Sequence, residues 1–364
     1  MARALELARA NVARTSPNPW VGAVVVRDGR VVGEGFHEGP GTPHAEVAAL
    51  EQAGELAKGA DVYVSLEPCA VSGRTGPCTD ALIEAGVTRV FYAMDDPDPR
   101  TEGRARAILT AAGIHVEAGL HEAEARELLE PYSHQRKTSR PFVTAKFAVS
   151  LDGKIAATSG DSRWVSSDES RVAAHERRSR VDGIVVGSET VVVDNPQLTA
   201  RPNGKLSAHQ PLRVVLDGRG RISTAAAVFA GRGRPLVITS DASSQEWRSE
   251  ISMVSDVEVV SAGSNGGVDP AAALNVLNAR GALHVLVEGG GRLHGSFFDA
   301  GLVDKVYAVI APLIIGGEGR GAVVGAGAAT MSAAWRLDRV SVNKCGPDII
   351  VEGYPRRGQL TSED

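Results

Sequence analysis

The sequence predicts an α/β protein made of two domains. Its 364 residues amount to about twice a common domain length of roughly 150 residues. Short apolar runs alternate with segments of helical character along the chain. A content of 41 glycines and only 4% aromatic residues favours short strands joined by many turns over a helical bundle.

The first half of the chain begins with a predicted helix over residues 2–12. Asp28-Gly29 between two apolar runs then predicts a two-residue hairpin turn. The elements predicted next are helix 45–53, strand 62–66, helix 79–85, strand 90–93, helix 104–112 and strand 115–118.

A polar stretch, residues 127–140, ends before Pro141 and is expected to be a linker, because proline disfavours helix in the residue before it. We therefore expect domains over residues 1–138 and 139–355, followed by a polar tail at 356–364.

Alternating strands and helices are predicted again after the expected linker. The strands predicted there are 142–150, 184–186, 212–216, 236–239, 257–260 and 285–287. Ser166-x-x-Glu169 predicts a helix start as a capping box, and Asp269-Pro270 predicts another as a cap followed by a first-turn proline.

Composition limits the classes of partner. With 39 basic and 44 acidic residues the formal net charge is −5, which argues against a nucleic-acid partner. The apolar run 306–315 is broken by Pro312 and is about half a membrane span, so it predicts a buried strand. Residues 1–16 lack the apolar region of a signal peptide, and three cysteines suit a reducing compartment. We expect a cytoplasmic protein without a membrane partner.

A histidine and two cysteines predict a metal site. His44 precedes a predicted helix, Cys69 follows strand 62–66, and Cys78 leads into the next helix. One imidazole and two thiolates suit Zn²⁺ with a fourth position left for water. Glu46 is too close in sequence to His44 to be a convenient fourth ligand, and is well placed to carry protons. The order H-x-E…P-C is that of zinc deaminases.

The spacing of the cysteines departs from the two-residue separation of that pattern. Eight residues lie between Cys69 and Cys78, so a loop must bring the thiols together, and Arg74 on it could face an anionic substrate. The alternatives are a structural zinc site or a reduced cysteine pair beside a surface histidine. Only His37 lies nearby as a rival ligand, beyond a Gly-Pro turn, which favours catalytic zinc.

Together the first-half motifs resemble the deaminase of the bifunctional RibD family of riboflavin biosynthesis. These motifs are Ser16-Pro17-Asn18-Pro19, His44-Ala45-Glu46, Leu66-Glu67-Pro68-Cys69 and Gly73-Arg74-Thr75-Gly76-Pro77-Cys78. The resemblance implies a cytidine-deaminase-like αβα domain that removes the exocyclic amine of a phosphoribosylated diaminopyrimidine. It implies zinc binding by the histidine and both cysteines, with Glu46 as proton donor and acceptor. It further implies that Asn18 contacts the pyrimidine and that Arg74 lies at the phosphoribosyl end.

Two motifs depart from the family pattern. Val71 and Ser72 stand where the family usually carries histidines, and Asp98 stands where it usually carries asparagine. Neither change affects the zinc ligands or Glu46. The first concerns the fit of the substrate and not the type of reaction.

A glycine-rich junction follows strand 285–287. Gly289-Gly290-Gly291 leads into a predicted helix, and backbone N–H groups at such a junction can hold a phosphate. A plain tight turn is the alternative. The G-x-G-x-x-G register is absent, so a Rossmann site is not supported. Arg178 and Arg201 could clamp a substrate phosphate or be solvated charges.

From the linker onward the chain resembles the RibD reductase domain. The resemblance implies a dihydrofolate-reductase-like fold that uses NADPH to reduce the ribosyl group of the deaminated pyrimidine to ribityl. The implied NADPH-binding residues are Ala148, Trp164, Thr190, Asp194, Gly290, Gly291, Arg292, Leu293, His294, Gly295 and Ser296. The implied substrate-binding residues are Ser162, Arg178, Leu198, Arg201 and Glu288. Lys146 and Asp194 are placed to assist protonation of the ring-opened sugar.

The leading hypothesis is therefore a bifunctional enzyme acting on a small phosphoribosylaminopyrimidine. One alternative is a reductase whose deaminase domain is retuned or inactive, suggested by Val71 and Ser72. Another is a nucleotide-binding regulator with structural zinc, against which the acidic Glu46 beside only three ligands argues. The apolar segments 303–315 and 335–342 could pair across a homo-oligomer.

Overall fold

The computed structural model describes residues 1–71, 76–263 and 266–357. The chain divides into two compact units, and the boundary lies between Arg140 and Pro141. Arg74, Ser72 and residues 358–364 of the expected tail lie outside the described residues. Within the described ranges, every helix is too short or too polar to cross a membrane.

The first unit combines helices with a five-stranded sheet. Its helices are α1 (Ala2–Ala10), α2 (Ala45–Ala53), α3 (Cys78–Glu84), α4 (Arg104–Ala111), α5 (Glu122–Leu128) and α6 (Glu130–Thr138), with a 3₁₀ turn at Gly54–Ala57. Its strands are β1 (Gly22–Arg27), β2 (Arg30–Phe36), β3 (Asp61–Val64), β4 (Arg89–Tyr92) and β5 (His115–Ala118). The strand order is β2-β1-β3-β4-β5, with β3, β4 and β5 parallel and the β1 pairings antiparallel.

This topology gathers several chain segments at one end of the sheet. The hairpin turn predicted at Asp28-Gly29 is confirmed, because β1 ends at Arg27 and β2 starts at Arg30. Since β1 runs antiparallel to both neighbours, its start lies beside the ends of β2 and β3. At Gly35, a Cβ would lie 2.2 Å from the Ala45 carbonyl oxygen, so glycine lets the start of α2 approach the strand closely.

The expected linker over residues 127–140 is wrong, because most of it is helical. Leu129 is fully buried and Tyr132 is buried, and the Trp20 indole donates to the Leu128 carbonyl at 2.9 Å. Pro131 lies in the first turn of α6, where a proline needs no backbone N–H partner. The polar composition hid two apolar anchors that dock this segment on the first unit.

The second unit contains a nine-stranded sheet and a two-stranded one. Its helices are α7 (Asp168–Arg178), α8 (Ser188–Asp194), α9 (Gln245–Ser252), α10 (Pro270–Ala279) and α11 (Gly291–Asp299), with 3₁₀ turns at Pro202–Gly204, Ala227–Phe229 and Met331–Ala333. Its strands are β6 (Phe142–Ser150), β7 (Lys154–Ala156), β8 (Gly183–Gly187), β9 (Leu212–Leu216), β10 (Leu236–Ser240), β11 (Asp256–Val260), β12 (His284–Val287), β13 (Lys305–Ala311), β14 (Arg320–Gly321), β15 (Trp335–Cys345) and β16 (Asp348–Arg357).

The large sheet has the order β11-β10-β9-β8-β12-β6-β13-β16-β15, and β7 pairs with β14 separately. From β11 to β13 the strands are parallel, whereas β16 is antiparallel to both neighbours. Alternate residues of β8 enter different cores, with Val185 packed on one face and Ile184 on the other. Burial on both faces explains why these strands are almost wholly apolar in sequence.

Three sequence expectations about this unit need correction. The N-cap of α7 is Ser167 and not Ser166, because the Ser167 hydroxyl accepts from the Ser170 N–H at 3.2 Å. Arg356 and Arg357, expected in the tail, end β16. Both edges of β13 are paired within the chain, so this part of 303–315 has no edge for another subunit, whereas β15 ends the sheet. The helix start at Asp269-Pro270 is confirmed.

Candidate active sites

The first unit contains a cavity of about 420 Å³ at the end of the sheet where the chain segments gather. Asn18 precedes β1, His37 follows β2, and Glu67 follows β3. His44 and Glu46, at the start of α2, complete the arrangement. The cavity is thus built from loops at one sheet end, held by a rigid scaffold.

The predicted metal ligands come together beside this cavity. His44 Nδ1 lies 3.2 Å from Cys78 Sγ and 3.4 Å from Cys69 Sγ, and the two Sγ atoms are 3.4 Å apart. Ligand atoms around one tetrahedral Zn²⁺ are separated by roughly 3.5 to 3.8 Å, so a small adjustment accommodates the ion. Despite eight intervening residues, the Cys78 N–H, at the start of α3, lies 3.3 Å from Cys69 Sγ.

The pKa shifts of the two cysteines suit metal binding. The pKa of Cys69 is lowered, chiefly because the Cys78 thiol donates to its sulfur, although burial opposes this. The same contact and burial raise the pKa of Cys78. Because zinc binds cysteines as thiolates, metal binding displaces protons from this pair.

Glu46 is only 3% exposed and lies at the first turn of α2. Burial, together with the negative charge of Cys69, raises its pKa to about 7. A carboxyl group with such a pKa can both give and accept a proton near neutral pH. His44, two residues earlier, belongs to the metal cluster, so the start of α2 supplies a ligand and a proton carrier together.

His37, which the sequence analysis considered only as a rival ligand, orients a predicted substrate residue. Its Nδ1 lies 3.1 Å from the Pro43 carbonyl and its Nε2 lies 3.0 Å from Asn18 Nδ2. Burial lowers the pKa of His37, so the neutral ring donates to Pro43 and accepts from Asn18. This contact fixes the amide, whose oxygen can accept a hydrogen bond from a ligand N–H.

Three further cavity residues escaped sequence reasoning. Glu67 is buried and accepts backbone N–H groups of Asp96, Gly103 and Ala105 at 3.0–3.2 Å, which holds the loop before α4 against β3. Tyr132 and Arg136 come from α6. Because residues 127–140 were expected to form a linker, Tyr132 and Arg136 were not considered as site residues. The apolar residues Leu129 and Tyr132 are the sequence signal that could have indicated a helix packed on the first unit.

The second unit contains a larger cavity, of about 830 Å³, at the ends of parallel strands. Open parallel sheets place ligands at this position. The predicted residues that line it are Lys146, Ala148, Ser162, Thr190, Asp194, Glu288, Gly290, Gly291, Arg292, Leu293 and Ser296. Lining residues that no motif indicated include Asp217, Arg219, Arg221 and Arg320.

The other predicted reductase residues lie outside the lining of this cavity. Trp164 is 67% exposed and stacks on Arg171 at 4.4 Å from the ring centroid. Leu198 is buried in an apolar core, and Arg201 donates to the Gln197 amide oxygen at 3.0 Å. Their assignment as ligand contacts stays a prediction.

Two predicted NADPH-binding residues of α11, His294 and Gly295, contact neighbouring main-chain atoms. The His294 ring is fully buried and its Nε2 lies 3.0 Å from the Gly289 carbonyl. At Gly295, a Cβ would lie 2.0 Å from the Val324 carbonyl oxygen. Contact of His294 with a cofactor would therefore be through its main chain.

Arg178 and Glu288 form a buried bidentate ion pair, with N–O distances of 2.8 and 2.6 Å. Although burial alone would raise the pKa of Glu288, the Arg178 guanidinium holds it at about 2. Arg178 thus orients Glu288, which lines the cavity. Burial lowers the pKa of Lys146 on β6, while Glu288 opposes this shift.

The glycine-rich junction fits a dinucleotide. The first N–H groups of α11 have no partner within the helix, and such groups bind phosphate. The Gly290 N–H donates to the Thr190 hydroxyl at 3.2 Å, which ties the junction to α8. A cavity of this volume suits a cofactor and a substrate.

The folds and sites define a zinc-dependent deaminase joined to a reductase. The model of the cytidine and deoxycytidylate deaminase zinc-binding region matches residues 1–94, and that of the RibD C-terminal domain matches residues 141–351. Riboflavin biosynthesis protein RibD of Bacillus amyloliquefaciens is 39% identical, covering 99% of this chain and 96% of its own. RibD of Escherichia coli is 37% identical, covering 96% of both.

Solved structures agree. Acinetobacter baumannii RibD has a TM-score of 0.86 at 34% identity, covering 98% of this chain and 97% of its own. A diaminohydroxyphosphoribosylaminopyrimidine deaminase/5-amino-6-(5-phosphoribosylamino)uracil reductase from Thermotoga maritima has a TM-score of 0.83 at 35% identity, with the same coverage.

The chain belongs to the RibD family and is a bifunctional deaminase and reductase of riboflavin biosynthesis. Zinc and NADPH are its cofactors, and small pyrimidines are its substrates. The expected fold class, a cytidine-deaminase-like domain followed by a dihydrofolate-reductase-like domain, is confirmed. The regulator and the retuned-deaminase alternatives are not favoured.

Proposed function

We propose that this chain deaminates diaminohydroxyphosphoribosylaminopyrimidine and then reduces the resulting 5-amino-6-(5-phosphoribosylamino)uracil, the two activities for which its Thermotoga maritima relative is named. The observation that carries the proposal is the pairing of Glu46 with the His44–Cys69–Cys78 cluster at one cavity. A structural zinc site normally uses four protein ligands and needs no buried acid beside three of them.

In the first reaction, His44, Cys69 and Cys78 hold zinc. The chemistry that zinc supplies there is Lewis-acid activation of water. Glu46 carries two protons in turn: the proton lost by the attacking water goes to the ring nitrogen, and the proton then lost by the newly added hydroxyl group goes to the amine, which leaves as ammonia. Asn18, fixed by His37, orients the pyrimidine.

In the second reaction, the chemistry that NADPH supplies is hydride transfer to the ring-opened ribose. The glycine-rich junction and Thr190 hold its phosphates, and Ala148, Asp194 and Ser296 line the same cavity. Lys146 and Asp194 assist protonation of the sugar oxygen. Glu288, oriented by Arg178, binds the substrate. Trp164, Leu198, Arg201 and Arg74 remain proposed ligand contacts by family resemblance.

We also propose a deaminase domain over residues 1–138, a reductase domain that begins at residue 139 and includes Arg356 and Arg357 of β16, and a cytoplasmic location. Neither a nucleic acid nor a membrane is proposed as a partner, which the net charge of −5 supports. We propose a homo-oligomer without specifying the number of subunits. The edge strand β15 supports this proposal, because one side of β15 has no neighbouring strand in the described sheet.

The test uses the purified chain and measures zinc content, ammonia release and NADPH oxidation separately. Ammonia release from the diaminopyrimidine, followed by NADPH oxidation, is expected. NADPH oxidation only with the pre-deaminated uracil would contradict the first activity, and no turnover of either compound would contradict both.

A further inference from the structure

Arg136 of α6 lies in the wall of the deaminase cavity, beyond the matched zinc-binding region at residues 1–94. Its Nη2 donates to the Pro17 carbonyl at 3.1 Å, and its guanidinium lies 4.9 Å from the centre of the Tyr132 ring. Its buried Nε finds no hydrogen-bond acceptor among the described residues. The guanidinium is thus held in place while a donor stays unused.

The nearest carboxylate, Asp98, is already neutralised by another arginine. Arg100 Nε donates to Asp98 Oδ1 at 2.9 Å and Arg100 Nη2 donates to Oδ2 at 2.6 Å. The Asp98 side chain is only 8% exposed, and its Oδ2 lies 3.7 Å from Arg136 Nε, beyond hydrogen-bond distance. Arg136 therefore forms only a long ion pair, without a hydrogen bond, with a carboxylate whose hydrogen bonds come from Arg100.

The second carboxylate on this wall is also engaged elsewhere. Asp96 Oδ1 accepts from the Tyr132 hydroxyl at 2.9 Å and from the Asp98 N–H at 3.0 Å. Arg136 stacks on the same tyrosine without bonding to Asp96. Both carboxylates thus accept their hydrogen bonds from groups other than the Arg136 guanidinium, which lines the cavity.

The chemistry of this group indicates its ligand. A positioned guanidinium with open donors recognises phosphate better than it recognises neutral groups. We propose that Arg136 binds the phosphate of the deaminase substrate, with the Asp98–Arg100 pair fixing the loop beside it. This inference rests on the proposed function, since it assumes a phosphorylated pyrimidine in this cavity.

The test compares ammonia release from the phosphorylated diaminopyrimidine and from the same riboside without phosphate. Arg136→Met should raise KM for the phosphorylated compound by about 10- to 100-fold, the loss of one charge-assisted contact, and leave kcat and the riboside KM within about twofold. Arg136→Lys, which keeps the charge but loses the planar donors, should give a smaller rise. The control Lys137→Met changes the next, exposed residue of α6 and should alter neither KM.

An equal rise in KM for both compounds would show that Arg136 only shapes the cavity, and an unchanged KM would place phosphate binding elsewhere; either result overturns the proposal. Absence of ammonia release by the unaltered chain would instead contradict the proposed function. In that case calorimetric titration with 5-amino-6-(5-phosphoribosylamino)uracil decides. The unaltered chain should bind it at both cavities and Arg136→Met at the reductase cavity alone, and identical titrations would overturn the proposal.

Discussion

Glu67 and Glu288 are buried carboxylates that different partners stabilise. Glu67 accepts three backbone N–H groups and so fixes a loop of the deaminase cavity. Glu288 is fixed by the Arg178 guanidinium. The first arrangement shapes a wall through backbone N–H groups, whereas the second places a charged acceptor against a cavity that also contains Lys146.

The Arg178–Glu288 pair predicts a pH-dependent stability. Because the pKa of Glu288 is about 2 in the fold and lies below its ordinary value of 4.5, the pair stabilises the protein above about pH 4.5 and loses this effect as the pH falls toward 2. Glu288→Gln leaves Arg178 buried without its charge partner, which should cost about 3–5 kcal/mol at pH 7. Denaturant unfolding of both proteins measures the difference, which should shrink below pH 4.5. A difference that stays constant down to pH 3 would contradict this account.

Substitution of Glu46 should separate zinc binding from catalysis of deamination. Glu46→Gln keeps the size of the side chain but cannot carry the proton, so ammonia release should fall by about 10²- to 10⁴-fold. Zinc content and reduction of the pre-deaminated uracil should not change, because the metal ligands and the second cavity are intact. Metal analysis with both assays checks this, and retained ammonia release would remove Glu46 from the mechanism.

At the scale of elements, periodic apolar runs and turn signals predicted most strands and the hairpin, because most of the described strands contain buried residues. The sequence could also indicate the zinc ligands, since few residue types bind zinc. It could not indicate α6, whose polar composition concealed the anchors Leu129 and Tyr132. Nor could it show that Arg178 forms an ion pair with Glu288, because the two residues are 110 positions apart in the sequence.

The glycines just before α11 and within its first turns have different physical roles. Gly291 and Gly295 allow the segment around Val324 to pack on the helix, since a Cβ at Gly291 would lie 2.3 Å from the Gly321 carbonyl oxygen. At Gly290 the nearest atom to a Cβ is the Thr190 hydroxyl at 3.8 Å. The glycine trio predicts phosphate approach at Gly291, and the family resemblance implies NADPH binding at Gly295, whereas packing requires a glycine at both positions.

This difference predicts unequal effects of alanine. Gly295→Ala should displace the segment around Val324 and destabilise the protein by about 1–3 kcal/mol, with a raised KM for NADPH. The matched variant Gly290→Ala should cost less than about 1 kcal/mol. Thermal unfolding and NADPH titration compare the two, and equal destabilisation would contradict the assigned packing role.

At the scale of the whole molecule, the described residues that line each cavity belong to a single unit. The lining of the deaminase cavity ends at Arg136, and that of the reductase cavity starts at Lys146. The two activities therefore depend on separate sets of side chains within one chain.

Removal of zinc should uncouple the activities. Chelation is expected to abolish ammonia release while NADPH oxidation with the pre-deaminated uracil continues, because the metal cluster lies in the first unit. Both rates are measured before and after chelation and after zinc is restored. Loss of both activities, with the second unit still folded, would argue against separate sites.

The most direct test of the central claim follows ammonia and NADPH together in one reaction of the zinc-loaded chain with diaminohydroxyphosphoribosylaminopyrimidine. The account predicts about one zinc per chain, ammonia release before NADPH oxidation, and equal final amounts of both products. It also predicts that Glu46→Gln stops both until pre-deaminated uracil is added. NADPH oxidation without ammonia release, or ammonia release by the Glu46→Gln chain at the unaltered rate, would contradict it.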